Sequence, residues 1–289
     1  MSFWDKLKLW LLKEDPDLPP MTPGVRPKSG ELSPGTKELI AAGYRVPLID
    51  TLRGVCLIIA TVYEFFYIIY TFGMLSGTGL YKFAEDFING DTMHYWVFGF
   101  EFVFVLLSGI SVNYSKNKFK HVLKLLVCSV IITVGSGIFF GFEDAVYFGM
   151  VHFLTVGWLI YALIEKKWGE LFDKVSLTAW IVLFLLSYMA IKYYHVKPLM
   201  IGSFEVPYYF IGFTPLNYMP KEFFGILPWI FVFFTGITLG KYLQDGIIPE
   251  NDYKFGVPGI DVVGRNGMLI YLLHYPVVYG IVLLLDKIF

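Results

Sequence analysis

The chain has 289 residues, 56% of them hydrophobic, 19% aromatic and 16% charged, with a formal net charge of -1 and a mean hydropathy of +0.61. A soluble domain carries about 25% charged and about 45–50% apolar residues, so this composition excludes an ordinary cytosolic enzyme and a disordered protein and places most of the chain in lipid. The balanced charge gives no basic footprint for nucleic acid. Two cysteines, Cys56 and Cys128, both inside apolar runs, exclude a disulfide framework.

Residues 1–44 differ from the rest. Phe3, Trp4, Leu7, Trp10 and Leu11 recur at helical spacing, with Lys6, Lys8 and Lys13 off that face. The pattern predicts a short amphipathic helix on a membrane surface, or a tail that orders only on contact. The same lysines break the first apolar patch, so no secretory signal peptide is expected. Pro16, Pro19, Pro20, Pro23, Pro27 and Pro34 then mark a linker without a core of its own. The membrane domain is expected over 45–289.

From Pro47 onward, apolar runs alternate with short polar joints. A hydrocarbon core of about 30 Å needs about 20 helical residues, and about seven such runs follow. They are expected near 47–73, 94–113, 121–141, 146–164, 175–194, 222–240 and 266–286, an all-α polytopic bundle. Strands are not expected, because open sheet edges are not tolerated in lipid. Lys37, Arg45, Lys116, Lys118, Lys120, Lys124, Lys166, Lys167, Lys174, Lys241, Lys254 and Arg265 fall on one side. The positive-inside bias then predicts a plasma-membrane protein with a cytoplasmic amino terminus and an extracytoplasmic carboxyl terminus.

Ionisable groups at membrane depth are costly and point to function. In PLIDTLRGVCLIIATVYEFFYIIY, Asp50, Arg53 and Glu64 fall within about 60° on one helical stripe. Arg53 and Glu64 are nevertheless about 16 Å apart along the axis, so they are not an ion pair. Glu101 and His94 on the second run and His152 on the fourth belong to the outer half, with His274 nearer the middle of the seventh. Glu64, Glu101, His94 and His152 are expected to converge on an outward cavity if their helices are neighbours. Histidine and a desolvated carboxylic acid both suit general base work near neutral pH. Structural hydrogen bonds between helices are the competing role for His152 and His274. His121 and His195 sit at run ends and are expected in solvent.

Arg53 and Arg265, with Asn266 between Gly264 and Gly267, suit phosphate groups delivered from the cytoplasm. Asp50 and Arg53 also fit simple interfacial anchoring. Pro228 is expected inside the sixth run, kinking it, and Pro276 breaks the seventh. No phosphate loop and no closely spaced His pair for a metal is present in the sequence. Ser108 in LLSGIS and Ser136 in GSG read first as packing positions.

The opening Arg45-Val46-Pro47-Leu48-Ile49-Asp50-Thr51-Leu52-Arg53-Gly54 resembles the membrane acyltransferase family of heparan-alpha-glucosaminide N-acetyltransferase, in its compact bacterial form. FVLLSGIS at Phe104–Ser111, Phe148-Gly149-Met150-Val151-His152, Gly225-Ile226-Leu227-Pro228-Trp229, Gly236–Gly240, and Gly264-Arg265-Asn266 through His274 resemble further blocks in the same order. The resemblance covers 45–285. It implies an acetyl or other acyl group passed from cytoplasmic acyl-CoA, used as cosubstrate without a metal, to an amine or hydroxyl of an extracytoplasmic glycan or small-molecule acceptor. Family members of known activity acetylate the amino group of a terminal glucosamine in heparan sulfate. The family pattern usually has histidine where this chain has Glu64, after a tyrosine matching Tyr63.

Catalytic candidates are therefore His152, Glu64, His274, His94 and Glu101, and cosubstrate-binding candidates Asp50, Arg53, Arg265 and Asn266. Membrane lipids are the expected partners, with a homo-oligomer left open. A proton-coupled carrier or lipid-binding protein, and an inactive relative serving in assembly, remain the alternatives.

Overall fold

The computed structural model describes residues 46–115, 117–142, 145–168, 171–193, 199–201, 204–206, 208–212, 223–244 and 255–289. The expected amino-terminal helix and linker, and His195, lie outside these residues. The described chain divides into two compact units, 46–104 with 255–289, and 105–244.

In the first unit, α1 (Pro47–Thr71) starts with proline, whose missing N–H costs nothing in a first turn. It ends at Phe72, and Gly73, Leu75 and Gly77 follow with φ of 62°, 60° and 91°. The Asp286 carboxylate accepts the Leu75 N–H at this turn. The Thr78 hydroxyl then accepts the Tyr81 N–H (3.2 Å) and caps α2 (Gly79–Asn89). This amphipathic helix lies outside the expected runs. It turns Ala84 inward while Lys82, Glu85 and Asp86 face out. Phe66, Phe83 and Phe87 form an aromatic cluster with ring centroids 5.0–6.0 Å apart.

The carboxyl-terminal part of this unit holds α9 (Ile260–Arg265) and α10 (Gly267–Ile288), both packed on α1. Ile68, Ile69, Met74, Leu75, Ala84, Val278 and Val282 form a common core. Helix α10 runs continuously through Pro276, which corrects the expected break. The interruption falls instead at Asn266 (φ -96°, ψ 20°), which closes α9 and opens α10.

Helix α3 (Met93–Val112) gives its first twelve residues to the first unit and 105–112 to the second. There it crosses α8 (Ile226–Gln244) at glycines. A Cβ on Gly109 would overlap the Phe233 carbonyl oxygen, and one on Gly236 the Leu106 carbonyl oxygen. Small residues let helix backbones touch where lipid offers no hydrophobic gain from association. Asn113 Nδ2 donates to the Ile237 carbonyl (2.9 Å) just beyond. Helices α4 (Lys118–Phe140) and α5 (Met150–Trp168) run antiparallel, joined by Thr155 to Ser129 at 3.0 Å. The four-residue α6 (Leu171–Lys174) precedes α7 (Leu177–Tyr193), which pairs with α8 through Trp180 Nε1–H donating to Thr238 Oγ1 (3.0 Å).

Leu227 is non-helical (φ -86°, ψ 141°), so regular α8 begins at Pro228. This corrects the kink expected inside the sixth run. The residue before proline is driven to extended geometry, and the proline opens the helix. Strands occur only as the three-residue hairpin Leu199–Ile201 and Phe204–Val206, among the described residues.

Among the described residues, five helices are long and apolar enough to cross a membrane: α1, α3 from Tyr95, α4, α8 to Leu243, and α10. Helix α7, at 17 residues, is a shorter apolar helix. Glu165, Lys166 and Lys167 polarise the end of α5. Most of the apolar stretch of α8 is buried, whereas most of that of α1, α4 and α10 is not. Helix α8 is therefore the core element of the second unit, whereas the others keep a broad face for lipid. Leu123, Leu126, Val130, Val134 and Ile138 make such a face on α4.

Candidate active site

The amino-terminal end of α1 carries Asp50, buried to 4% exposure, and Arg53. Arg53 Nη1 donates to Asp50 Oδ1 at 3.3 Å. A second pair lies on α9, where Arg265 Nη2 donates to Asp261 Oδ2 at 2.9 Å. Backbone contact brings the two helices together. A Cβ on Gly264 would overlap the Asp50 carbonyl oxygen, and one on Gly54 the carbonyl oxygen of Ile260. Thr51 Oγ1 accepts the Val257 N–H (3.1 Å) just ahead of α9. Asn266 Nδ2 donates to the Val262 carbonyl (2.9 Å). Asp50, Arg53, Arg265 and Asn266 thus belong to one docked pair of helices. Two guanidinium forks there suit bidentate recognition of phosphate.

Eleven residues further along α1, Glu64 sits among tyrosines. Tyr63 lies in the electrostatic field of Glu64, Tyr67 and Glu101, and Tyr275 in that of Glu64, Tyr67 and Tyr279. Tyr63 and Tyr67 stack at 5.9 Å. Helices α1, α3 and α10 thereby each carry groups within electrostatic reach of these tyrosines. His274 begins the same turn of α10 as Tyr275. Its Nδ1 is 2.6 Å from the Tyr271 carbonyl. A carbonyl only accepts, so Nδ1 carries the proton and Nε2 is the basic nitrogen of the neutral ring. Tyr271 stacks on Phe104 of α3 (6.4 Å) and lies 5.1 Å from the His274 ring. His94 is on the first turn of α3 in this unit; its side chain lies outside the described atoms.

The chain matches the family described as heparan-alpha-glucosaminide N-acetyltransferase, catalytic, over residues 45–276. It belongs to that family. No curated protein and no solved structure matches the chain. Membership and the five apolar helices make it a multi-pass membrane protein of an acetyltransferase family. Among the described residues no group of three or more His, Cys, Asp or Glu side chains is placed to hold a metal ion.

The expected cavity residues divide between the units of this acetyltransferase-family chain. Glu64, Glu101 and His94 fall in the first and His152 in the second. His152 has both ring nitrogens engaged. The Gly149 N–H donates to Nδ1 (3.3 Å), so Nε2 carries the proton and donates to Thr133 Oγ1 (2.9 Å). Thr133 in turn donates to the Val146 carbonyl (2.9 Å). That closed chain ties the start of α5 to α4. Ser136 extends it by accepting the Val146 N–H (2.9 Å), and Ser108 accepts from Trp158 Nε1 (3.3 Å), both packing roles. His121 is half-buried with its ring 4.0 Å from that of Trp158, which corrects its expected place in solvent.

Asp261, Tyr67, Tyr275 and Tyr279 were not singled out by sequence. Asp261 was marked by its position four residues before Arg265. The tyrosines were marked by the spacings 63/67 and 275/279, each one helical turn.

Proposed function

We propose that the protein is an integral membrane acyltransferase moving an acetyl or other acyl group from cytoplasmic acyl-CoA to an amine or hydroxyl of an extracytoplasmic glycan. Arg53 and Arg265, set by Asp50 and by the Asn266 turn, hold the phosphates of the donor. Glu64 and Glu101 draw in the acceptor's polar hydrogens. His274 Nε2 takes the proton from the acceptor as its nitrogen or oxygen bonds to the thioester carbon. The carbon–sulfur bond breaks, and the imidazolium returns the proton to the departing sulfur as free thiol. In this reading Glu64 takes over acceptor binding at the position where the family usually has histidine, and His152 is a strap.

One observation carries the reading: two arginines near the start of α1 and in α9, and a carboxylate–tyrosine cluster further along α1 and in the first half of α10, are carried by the same packed helices. Arg53 and Glu64 are separated by about 16 Å along α1, a span suited to an extended thioester arm. The test is thiol release from acetyl-CoA by protein in lipid nanodiscs with a glucosaminide acceptor. His274→Gln should lower kcat by about 10²-fold or more, and Arg53→Ala should raise the donor KM. Full activity in folded His274→Gln removes His274 as base. Solute counterflow without any thiol release would favour a carrier instead.

A further inference from the structure

We infer that Asp261 is a positioning residue for donor recognition: its Oδ2 holds the Arg265 guanidinium in the orientation that engages a phosphate. The inference rests on the donor-site reading above and adds a residue to it. Helix α9 has six residues and starts at Gly259 without a side-chain cap, so it constrains a long side chain weakly. What it does have is a backbone seat on α1, through Gly264 and Asp50, and the 2.9 Å pair from Asp261 to Arg265 Nη2. A guanidinium loses much rotamer freedom when bound, and a neighbouring carboxylate that fixes it beforehand removes that loss from the binding step.

The pair is also held where an ordinary surface pair would not be. The Asp261 side chain is 17% exposed, and its Oδ1 is buried with no hydrogen-bond partner among the described residues. A buried carboxylate oxygen without a donor costs stability, so a pair kept for stability alone would lie in solvent. Asp50 does the same for Arg53 on the facing helix, at 3.3 Å.

Charge and position predict opposite signs. A carboxylate beside a phosphate repels it, so if charge dominated, removing Asp261 would tighten donor binding. If Asp261 sets the guanidinium, removing it weakens binding, and asparagine, whose amide oxygen still accepts from Nη2, restores it. The experiment measures Kd for coenzyme A and for pantetheine, which lacks the phosphates, with full-length protein in nanodiscs. Asp261→Ala should weaken coenzyme A about tenfold and leave pantetheine unchanged, with Asp261→Asn within about threefold of the parent. In turnover, Asp261→Ala should raise the acetyl-CoA KM and spare kcat. Coenzyme A binding to Asp261→Ala as tightly as to the parent, or tighter, overturns the inference. Equal loss for pantetheine does so too, because it marks a general structural defect. If Arg265→Ala leaves coenzyme A binding unchanged, the donor-site reading itself falls and the inference with it.

Discussion

The seat of α9 on α1 yields a prediction that needs no knowledge of the reaction. In Gly264→Ala the new methyl would overlap the Asp50 carbonyl oxygen and lie 2.6 Å from its carbon and 2.7 Å from the Gly54 nitrogen. All three are backbone atoms of a helix interior, so none can rotate away and α9 must lift off α1. Overpacking of this kind costs about 1–3 kcal/mol where side chains can adjust, and here they cannot, so the upper end applies. For a unit of about 100 residues, about 3 kcal/mol lowers Tm by about 12–24 °C. Gly267→Ala is the graded control, because its methyl meets only the flexible end of Leu57, 3.1 Å away. Gly280→Ala meets nothing within 4 Å, and alanine there gains about 1 kcal/mol of helix propensity. The two buried cysteines serve as reporters, Cys56 for the first unit and Cys128 for the second. A thiol-reactive fluorogenic probe in a Cys128→Ser background reads exposure of Cys56 on heating. The expected order of Tm is Gly280→Ala above Gly267→Ala above Gly264→Ala. Equal Tm for the first and last would refute the backbone seat, and with it the docking of the Arg265 helix on the Arg53 helix.

Four further outcomes follow from the same geometry. His152→Ala leaves the Gly149 N–H and the Thr133 hydroxyl short of a partner and should cost about 1–3 kcal/mol, read by Cys128 in a Cys56→Ser background, while folded protein still releases thiol. Loss of thiol release in folded His152→Ala would return the chemistry to that histidine. Asn113→Leu removes the 2.9 Å bond to the Ile237 carbonyl and should cost about 1–2 kcal/mol by the same readout. Asp286→Ala frees the Leu75 N–H and should speed hydrogen exchange at residues 73–77 without changing exchange in α4. Glu64→Gln keeps the shape but removes the charge, and should raise the acceptor KM while leaving that of the donor unchanged; an unaltered acceptor KM removes Glu64 from acceptor binding.

Positions of the long helices were legible because the bilayer imposes one length and one composition on each. The expected runs 94–113 and 121–141 fall within three residues of α3 and α4 at each end. The failures share one cause, which is backbone events that leave no hydropathy signature. Pro228 sits in an apolar run whether it kinks a helix or begins one, and only the extended Leu227 decides between them. Pro276 reads as a breaker in the sequence, yet α10 carries it without interruption. Helix α2 was hidden because an amphipathic segment of 11 residues raises mean hydropathy little. At the site, Asp50, Arg53, Arg265 and Asn266 were visible as charge and amide at run ends. The docking that unites them was not, since Gly54 and Gly264 mark close approach only once their partner is known.

The two units spend their polar groups differently, and that contrast bears on where the chemistry resides. In the second unit hydroxyls, indoles and His152 satisfy each other in closed chains, as in Gly149–His152–Thr133–Val146 and Trp180–Thr238. A closed chain has no donor or acceptor to offer a substrate without breaking, and its members join helices that must stay in register. In the first unit, α1, α3 and α10 hold carboxylates, phenols and an imidazole whose Nδ1 donates to the Tyr271 carbonyl. That arrangement orients the ring and leaves Nε2 with a lone pair, the state that proton abstraction requires. Polar substitutions in the second unit should therefore act on Tm, and those at Glu64 or His274 on kcat and KM at unchanged Tm. The reverse pattern would move the reaction centre from α1 and α10 to α4 and α5.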